Sequence, residues 1–389
     1  MSRVAQALIK LDALKHNLSV ARQAAPESNI LAVIKANAYG HGLLAVAHAL
    51  SSADAFAVAH FEEAVTLREK FPKKTIVLLQ GFADEIELTL LLSQFIQPVI
   101  HSPEQINWLE KFAAQNRDET FSVWLKVDTG MHRLGVSVND FEQCWIRLNA
   151  IEGLKGRVKL MSHFANADVI NHPTNVDQSR LFFDLGESLT AEKGEKVEKS
   201  LVNSAGLLSR ADDFYQWVRP GIMLYGVSPF ENGSALEFDL QPVMNLSSRI
   251  IAINTLSKGQ TVGYGSCWRA PASTCIAVVG IGYGDGYPRH IAENTPVLIE
   301  GKRYPIVGRV SMDMITVNLG IDGTVNVGDK VLLWGEGLPV EEISLKASTI
   351  AYELLCQVTA RVKFVYQGDD VLDSAHTKAS TNTSVSTGN

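Results

Sequence analysis

The chain has 389 residues, enough for roughly two or three domains with large buried cores. Hydrophobic residues make up 46% of it and charged residues 20%, a balance that excludes an intrinsically disordered chain. The net charge of −7 argues against a nucleic-acid-binding protein, and no apolar stretch approaches the ~20 residues that span a bilayer. We therefore expect neither nucleic acid nor a membrane as a partner.

The first two-thirds of the chain alternate between helical periodicity and short apolar runs. Leu11, Leu14, Leu18 and Ala21 recur at helical spacing, with Asp12 as the predicted N-cap. Further helices are predicted at Glu62–Glu69, Pro103–Ala114 and Asn175–Glu192. The apolar runs predict buried strands at Ile30–Ile34, Phe56–Ala59, Thr75–Leu79, Pro98–Ile100, Val123–Val127, Val158–Met161, Ser200–Val202 and Gln216–Val218. Their spacing is typical of βα units, so we predict an α/β fold with a TIM-like (β/α)8 barrel, and an open doubly wound sheet is the alternative.

After about residue 235 the helical periodicity fades and a mainly β domain is predicted. Its strands are predicted at Ser248–Asn254, Thr274–Val279, Pro296–Glu300, Ile315–Leu319 and Lys330–Trp334, with one helix near Glu342–Leu355. The predicted divisions are a barrel at 1–235, a β domain at 236–367 and a disordered polar tail at 368–389. Residues 1–11 are also compatible with packing against the β domain.

The cysteines and the N-terminus predict a cytoplasmic protein. Cys144, Cys267, Cys275 and Cys356 form no CxxC pair and are far apart, which argues against disulfides and against a metal site. Polar residues also interrupt the N-terminus too early for a secretory signal.

Lys35 directly follows the first predicted barrel strand. In a barrel this position lies at the carboxyl-terminal mouth, where active sites are found. A lysine there can serve as a Schiff-base amine or as a proton-transfer base, or it can simply extend into solvent. The residue alone does not decide between these interpretations.

Polar and small residues also follow the last four predicted barrel strands. Ser204 and the pair Gly221 and Ile222 come after the seventh and eighth strands, where many barrels bind phosphate. A lysine and a phosphate site on one rim indicate pyridoxal phosphate, a phosphorylated aldehyde.

By itself, His163 is more typical of a hydrogen-bonded structural histidine. The glycine-rich segment 280–286 follows no βαβ unit and is interpreted as a turn.

Four longer motifs carry a family resemblance. They are Ala32–Gly42 around Lys35, Asp128–Gly135, Trp217–Gly226 and Val307–Met314. Together they resemble the pyridoxal-phosphate-dependent alanine racemases of bacteria, of fold type III and close to the enterobacterial type, from about Gln6 to Tyr366. The resemblance implies interconversion of L-alanine and D-alanine by a homodimer, in which the β domain of each subunit completes the other's site.

The resemblance also implies roles for individual residues. Lys35 would hold pyridoxal phosphate as a Schiff base and serve as one base, and Tyr264 of the other subunit would be the second base. Contacts to the cofactor are implied for Tyr39, His163, Ser204, Arg219, Gly221, Ile222 and Tyr352. Arg133 and Met312 would bind the substrate carboxylate, and Lys126, often carbamylated in the family, would hold Arg133. Supporting residues or residues of the entrance corridor are implied at Asp168, Tyr283, Arg289, Arg309, Asp313 and Ile350.

Physical chemistry explains why such a site needs two bases. Racemisation removes a proton from one face of Cα and returns one to the other, and a single base does not reach both faces without a large motion. The resemblance also implies that Arg219 faces the cofactor's pyridine nitrogen. Since an arginine does not give up its proton, that nitrogen should stay neutral, and we expect this to suppress transamination.

Two alternative functions remain open. A broad-specificity amino-acid racemase is one, although such enzymes are generally exported and the segment Arg133–Gly135 fits the alanine type. A pyridoxal phosphate homeostasis or carrier protein is the non-enzyme alternative, and Tyr264 and Met312 in a complete β domain argue against it. Arg219 argues against the related decarboxylases, which place an acid at the pyridine nitrogen. The sequence does not distinguish a biosynthetic enzyme, which supplies D-alanine for peptidoglycan, from a catabolic one.

Overall fold

The computed structural model describes residues 4–193, 197–231, 233–321 and 324–368. The predicted disordered tail therefore lies outside the described residues, apart from Gly368. No helix within the described ranges is both long and apolar enough to cross a membrane.

The N-terminal part of the chain contains a closed barrel. The strands of this part are β1 (Gln6–Lys10), β2 (Asn29–Val33), β3 (Ala55–Val58), β4 (Thr75–Leu78), β5 (Gln97–Ile100), β6 (Val123–Lys126), β7 (Val158–Met161), β8 (Lys199–Ser200) and β9 (Trp217–Val218). Strands β2 to β9 form the barrel in sequence order, and β2 closes it by pairing in parallel with β9. The (β/α)8 barrel is thus confirmed and the open sheet is wrong.

Helices connect the barrel strands. They are α1 (Leu11–Ala24), α2 (Lys35–Tyr39), α3 (Leu43–Ala49), α4 (Phe61–Lys70), α5 (Glu85–Ser93), α6 (Pro103–Gln115), α7 (Val138–Ala150), α8 (Pro173–Lys193) and α9 (Ser204–Ser209). Side chains that accept backbone hydrogen bonds begin several of them, such as Asp84 before α5 and Ser102 before α6. The predicted N-cap at Asp12 is wrong. Helix α1 already begins at Leu11, so Asp12 lies in its first turn, where a carboxylate suits the helix dipole.

The C-terminal part is mainly β, as predicted. Its elements are β10 (Met244–Leu256), β11 (Thr261–Val262), β12 (Trp268–Arg269), β13 (Thr274–Val279), β14 (Pro296–Ile299), β15 (Lys302–Pro305), β16 (Ile315–Gly320), β17 (Lys330–Trp334), α10 (Val340–Lys346), α11 (Ala351–Gln357) and β18 (Lys363–Gln367). The single helix predicted at Glu342–Leu355 is wrong, because Ser348 adopts a left-handed conformation, with φ of 53°, between α10 and α11.

One sheet joins the two ends of the chain. Strand β1 pairs antiparallel with β10 and parallel with β18, so the N-terminal strand belongs to the sheet that the C-terminal part forms. The 13-residue strand β10 also pairs with β13 and β17. Buried side chains of β1 and β10 belong to the same apolar cluster as those of the barrel strands, so the core is continuous between the two parts.

Candidate active site

A cavity of about 450 Å³ lies at the carboxyl ends of the barrel strands, a volume typical of sites for small ligands. Ten of the predicted site residues line it: Lys35, Tyr39, Lys126, Arg133, His163, Ser204, Arg219, Gly221, Ile222 and Tyr352. Lys126 is the last residue of β6 and Tyr352 belongs to α11, whereas the others come after β2, β6, β7, β8 or β9 in the sequence. The barrel therefore brings together most of the residues that the motifs singled out.

A left-handed turn places two of these residues. One residue separates Lys35 from the end of β2. The next four residues, Ala36 to Tyr39, complete the short element α2 and all have φ between 51° and 55°, so this element is a left-handed turn. This tight turn directs both Lys35 and Tyr39 into the cavity. The ring of Tyr39 is buried and lies 4.7 Å from the ring of Tyr225 and 5.9 Å from that of Tyr352, measured between ring centroids.

One end of the cavity is built for a small anion. The Ser204 hydroxyl accepts hydrogen bonds from the backbone N–H of Gly221, at 2.8 Å, and of Met223, at 3.4 Å. A Cβ on Gly221 would lie 2.7 Å from the Tyr39 hydroxyl oxygen, so glycine leaves the space open. Burial raises the pKa of Tyr39 and of Tyr352, and both hydroxyls therefore stay protonated as donors.

The buried guanidinium of Arg219 lies elsewhere on the cavity wall. It is only 4% exposed and donates to Ser200 Oγ at 2.6 Å and to the carbonyl oxygens of Ser162 and Leu201. Burial lowers the pKa of Arg219 to about 9, so the side chain remains charged at neutral pH. Its Nη2 lies 3.1 Å from His163 Nδ1. Burial and then the Arg219 charge lower the pKa of His163 well below its usual value, so His163 is neutral and accepts this hydrogen bond.

The cavity is strongly cationic. Four basic side chains line it, those of Lys35, Lys126, Arg133 and Arg219, and no carboxylate among the described residues does so. Burial, followed by repulsion from the Arg219 charge, lowers the pKa of Lys126 to about 8. Burial, followed by repulsion from the Arg133 charge, also lowers the pKa of Lys35. Such a set of cations requires anionic groups on its ligand.

The loop that carries Arg133 is shaped by an acidic side chain. Asp128 Oδ1 accepts hydrogen bonds from the backbone N–H groups of Gly130, Met131 and His132, at 2.9–3.1 Å. These bonds hold the chain after β6 in a tight turn, from which Arg133 reaches the cavity.

Two predicted corridor residues lie beside the first cavity. Asp168 and Ile350 line a second cavity of about 560 Å³, which shares His163 and Tyr352 with the first one. The two cavities are therefore adjacent.

The remaining predicted residues line neither cavity. They form a patch on the C-terminal part, here called the Tyr264 patch: Tyr264, Tyr283, Arg289, Arg309, Met312 and Asp313. Tyr264 is 68% exposed and Met312 is 53% exposed. Within the patch, Arg289 lies over the Tyr283 ring, a Cβ on Gly265 would approach Arg309 to 3.3 Å, and Asp313 pairs with Arg361. Within a single chain, this patch and the cavity are separate.

Asn203 and Tyr225 are among the residues at the site that were not predicted. Asn203 lines the cavity and caps α9 by accepting from Gly206 N–H at 3.0 Å, and Tyr225 packs on Tyr39. The N-cap pattern before Ser204 was a signal for Asn203. Nothing local in the sequence marks Tyr225 as a neighbour of Tyr39.

The donor set fits pyridoxal phosphate. The hydroxyls of Tyr39, Ser204 and Tyr352 suit its phosphate, the Lys35 amine suits its aldehyde, and the cations balance its negative charge. The fold and the cavity together define a barrel enzyme whose amine and anion site suit a phosphorylated carbonyl cofactor.

Comparison with known proteins identifies the family. The N-terminal domain of alanine racemases matches residues 9–229 and the C-terminal domain matches residues 243–366. Alanine racemase from Vibrio cholerae is 46% identical over 95% of this chain and 100% of its own length, and that from Shewanella woodyi is 48% identical over 92% and 97%. The chain belongs to the alanine racemase family, pyridoxal-phosphate-dependent isomerases that interconvert L-alanine and D-alanine.

Solved structures agree with this assignment. The biosynthetic alanine racemase from Pseudomonas aeruginosa superposes with a TM-score of 0.88 at 40% identity, covering 94% of this chain and 100% of that one. Alanine racemase from Bartonella henselae, solved with covalently bound pyridoxal phosphate, gives a TM-score of 0.85 at 30% identity, covering 94% and 99%. The match of both domains also argues against the homeostasis alternative, which lacks the second domain.

Proposed function

We propose that the enzyme works as a homodimer in which the Tyr264 patch of each subunit covers the cavity of the other. The observation that carries this proposal is the exposure of Tyr264. A second base is needed opposite Lys35, yet Tyr264 lies on the surface and, among the described residues, lines neither of the two cavities at the barrel mouth. In a two-fold dimer the same contact forms twice and completes two sites.

Within that dimer, Lys35 and Tyr264 divide the proton transfers. When bound, pyridoxal phosphate supplies the aldehyde that captures the substrate amine and the ring that draws electrons from Cα. The Lys35 amine takes or returns the proton on one face of Cα, helped by its lowered pKa. The Tyr264 hydroxyl serves the opposite face. Arg133 and the backbone N–H of Met312 hold the substrate carboxylate.

The charged Arg219 and the neutral His163 form the wall behind this chemistry. Arg219 donates hydrogen bonds to three neutral oxygens and to His163. Since an arginine keeps its proton, Arg219 acts as a hydrogen-bond donor and not as an acid. Tyr39, Ser204, Gly221, Ile222 and Tyr352 bind the phosphate.

Lys126 is proposed to be carbamylated. With a pKa lowered to about 8, part of its amine is neutral near physiological pH, as attack on carbon dioxide requires. The new N–C bond releases one proton and leaves an anionic carbamate next to Arg133 and Arg219. Labelled bicarbonate followed by carbon NMR tests this, and Lys126→Ala should remove the carbamate signal.

Mixing two inactive variants tests the shared site. Lys35→Ala and Tyr264→Phe chains, carrying different tags, are each inactive alone. A heterodimer of the two has one doubly altered site and one intact site, so random mixing should restore about a quarter of the parent activity. Isolated heterodimers that stay inactive would show that Lys35 and Tyr264 act within one chain.

The preference for alanine is tested against the broad-specificity alternative. The enzyme with pyridoxal phosphate is incubated in D2O with L-alanine, L-serine, L-lysine or L-arginine, and chiral chromatography quantifies each D-enantiomer. We expect fast formation of D-alanine carrying deuterium at Cα and little D-lysine or D-arginine. Strong turnover of the basic amino acids would favour the broad-specificity racemase.

We also propose a cytoplasmic location, which suits the four unpaired cysteines.

A further inference from the structure

The left-handed turn after Lys35 needs an external support. A left-handed backbone is sterically unfavourable for every non-glycine residue, and Ala36 to Tyr39 are four such residues in a row. Alanine and tyrosine have no preference for it. The conformation therefore persists only because surrounding groups hold the turn in place.

Three side chains provide that support. Glu63 Oε1 accepts a hydrogen bond from the backbone N–H of Asn37 at 2.8 Å, and the Asn37 side chain accepts one from Leu43 N–H, also at 2.8 Å. The third side chain, His41, supports the end of the turn where Tyr39 lies. Its Nδ1 is 2.9 Å from the carbonyl oxygen of Tyr39 and 3.2 Å from that of Ala38.

The partners of His41 fix its protonation. Both partners of Nδ1 are carbonyl oxygens, so Nδ1 carries the hydrogen. The residue is 0% exposed, and burial lowers its pKa to about 4, so the ring is neutral at physiological pH. Nε2 finds no hydrogen-bond partner within the part of the chain that the structure describes. An apolar side chain at this position would not leave a buried polar atom unpaired. The advantage of histidine over an apolar residue here is therefore the hydrogen bonding of its Nδ1.

The ring of His41 also belongs to the wall behind Tyr39. It lies 4.7 Å from the Tyr225 ring, which in turn lies 4.7 Å from the Tyr39 ring. The Tyr225 hydroxyl donates to the carbonyl of Val33 at the end of β2. His41 is thus linked to Tyr39 through the backbone and through ring packing.

We propose that His41 is a positioning residue for the cofactor phosphate, and that it acts by holding the Tyr39 hydroxyl at the anion end of the cavity. This inference rests on the proposed function, in which Tyr39 binds the phosphate. It does not extend to Lys35, because the chain at Lys35 is fixed separately: Val33 N–H donates to Pro220 and Ile34 N–H donates to Ala57, both at 2.9 Å.

The test compares two ligands that differ only in the phosphate. Full-length apo chains are titrated with pyridoxal phosphate and with pyridoxal, and binding is followed by absorbance and calorimetry. His41→Leu removes the donor, whereas His41→Asn places an amide N–H near the position of Nδ1. The melting temperature and circular dichroism of each apo chain show whether it is folded. If the leucine variant does not fold, His41→Gln, whose amide reaches past the Nδ1 position, replaces it.

A selective loss is the expected result. His41→Leu should weaken the binding of pyridoxal phosphate at least about tenfold, because the two carbonyls lose their donor, and change the binding of pyridoxal less than about twofold. His41→Asn should retain most of the affinity. In a Tyr39→Phe background, His41→Leu should weaken the binding of pyridoxal phosphate by less than about a further threefold, since both residues act through one hydroxyl.

Other results would overturn the inference in distinguishable ways. If Tyr39→Phe weakens phosphate binding and His41→Leu does not, His41 has no positioning role and the assignment of Tyr39 stands. If His41→Leu weakens both ligands equally, its role is structural only. If Tyr39→Phe leaves the preference for the phosphorylated ligand unchanged, the proposed phosphate site is itself wrong.

Discussion

The burial of His41 leads to a specific prediction about acid stability. His41→Asn keeps a donor for the Tyr39 carbonyl but removes the titrating ring. In the parent chain the folded-state pKa of His41 is lowered to about 4, against 6.5 for an unperturbed histidine. The unfolded chain therefore binds a proton first as pH falls. The contribution of the neutral His41 to the free energy of unfolding is fully present above pH 6.5 and is lost progressively as the pH falls from 6.5 to about 4.

The size of this loss follows from the two pKa values. At about pH 7.5 the imidazole is neutral in both states and its titration contributes almost nothing. At about pH 4.5 protonation favours the unfolded chain by about 2–3 kcal/mol. His41 is completely buried, so solvent screening does not reduce this figure.

Urea unfolding of the apo chains, followed by tryptophan fluorescence, measures the effect. Between about pH 7.5 and pH 4.5 the parent should lose about 2–3 kcal/mol more stability than His41→Asn. The other titrating groups are common to both chains and cancel in the comparison. His60→Asn, at an exposed histidine, is the control and should behave as the parent does. Equal losses in the parent and in His41→Asn would refute the assignment of His41 as a buried neutral histidine.

Three further predictions concern the site. Lys35→Ala should abolish the visible absorption of bound cofactor and nearly all racemisation, and full activity in this variant would contradict the proposed mechanism. Tyr264→Phe should retain the cofactor and lose proton exchange more strongly from L-alanine than from D-alanine, as deuterium incorporation measures; an equal loss from both would argue against two separate bases. Gly221→Ala should weaken the binding of pyridoxal phosphate about tenfold or more, because the added methyl group would lie 2.7 Å from the Tyr39 hydroxyl. Unchanged affinity in titrations of the apo chain would show that the phosphate lies elsewhere.

Most of the barrel could be predicted because its signal is local. A strand buried on both faces must be a short apolar run between turns, and the predicted Val158–Met161 coincides with β7. The partner of β1 could not be predicted in this way. Its pairing with β18 joins residues more than 350 positions apart, and no local pattern encodes such a contact.

The site shows the same division. The position of Lys35 at the barrel mouth follows from the strand pattern, but the left-handed turn after it does not, because only Asn37 in that turn has a known tendency towards φ > 0. The role of His41 depends on where its Nδ1 points, which only the folded chain reveals. The motif around Tyr264 likewise gives no information about which subunit's cavity it serves.

The separation of the Tyr264 patch from the cavity has a physical reason. A barrel mouth presents side chains from its rim and walls, so all of its groups approach a bound substrate from the barrel side. A base for the opposite face of Cα must come from outside the barrel. Tyr264 meets this requirement, since it lies in the short loop between β11 and β12, between two glycines with φ of 70° and 73° that allow the tight turn. In the two-fold dimer that we propose, this exposed tyrosine would enter the cavity of the second subunit, so the heterodimer experiment tests the dimer and the two-base mechanism together.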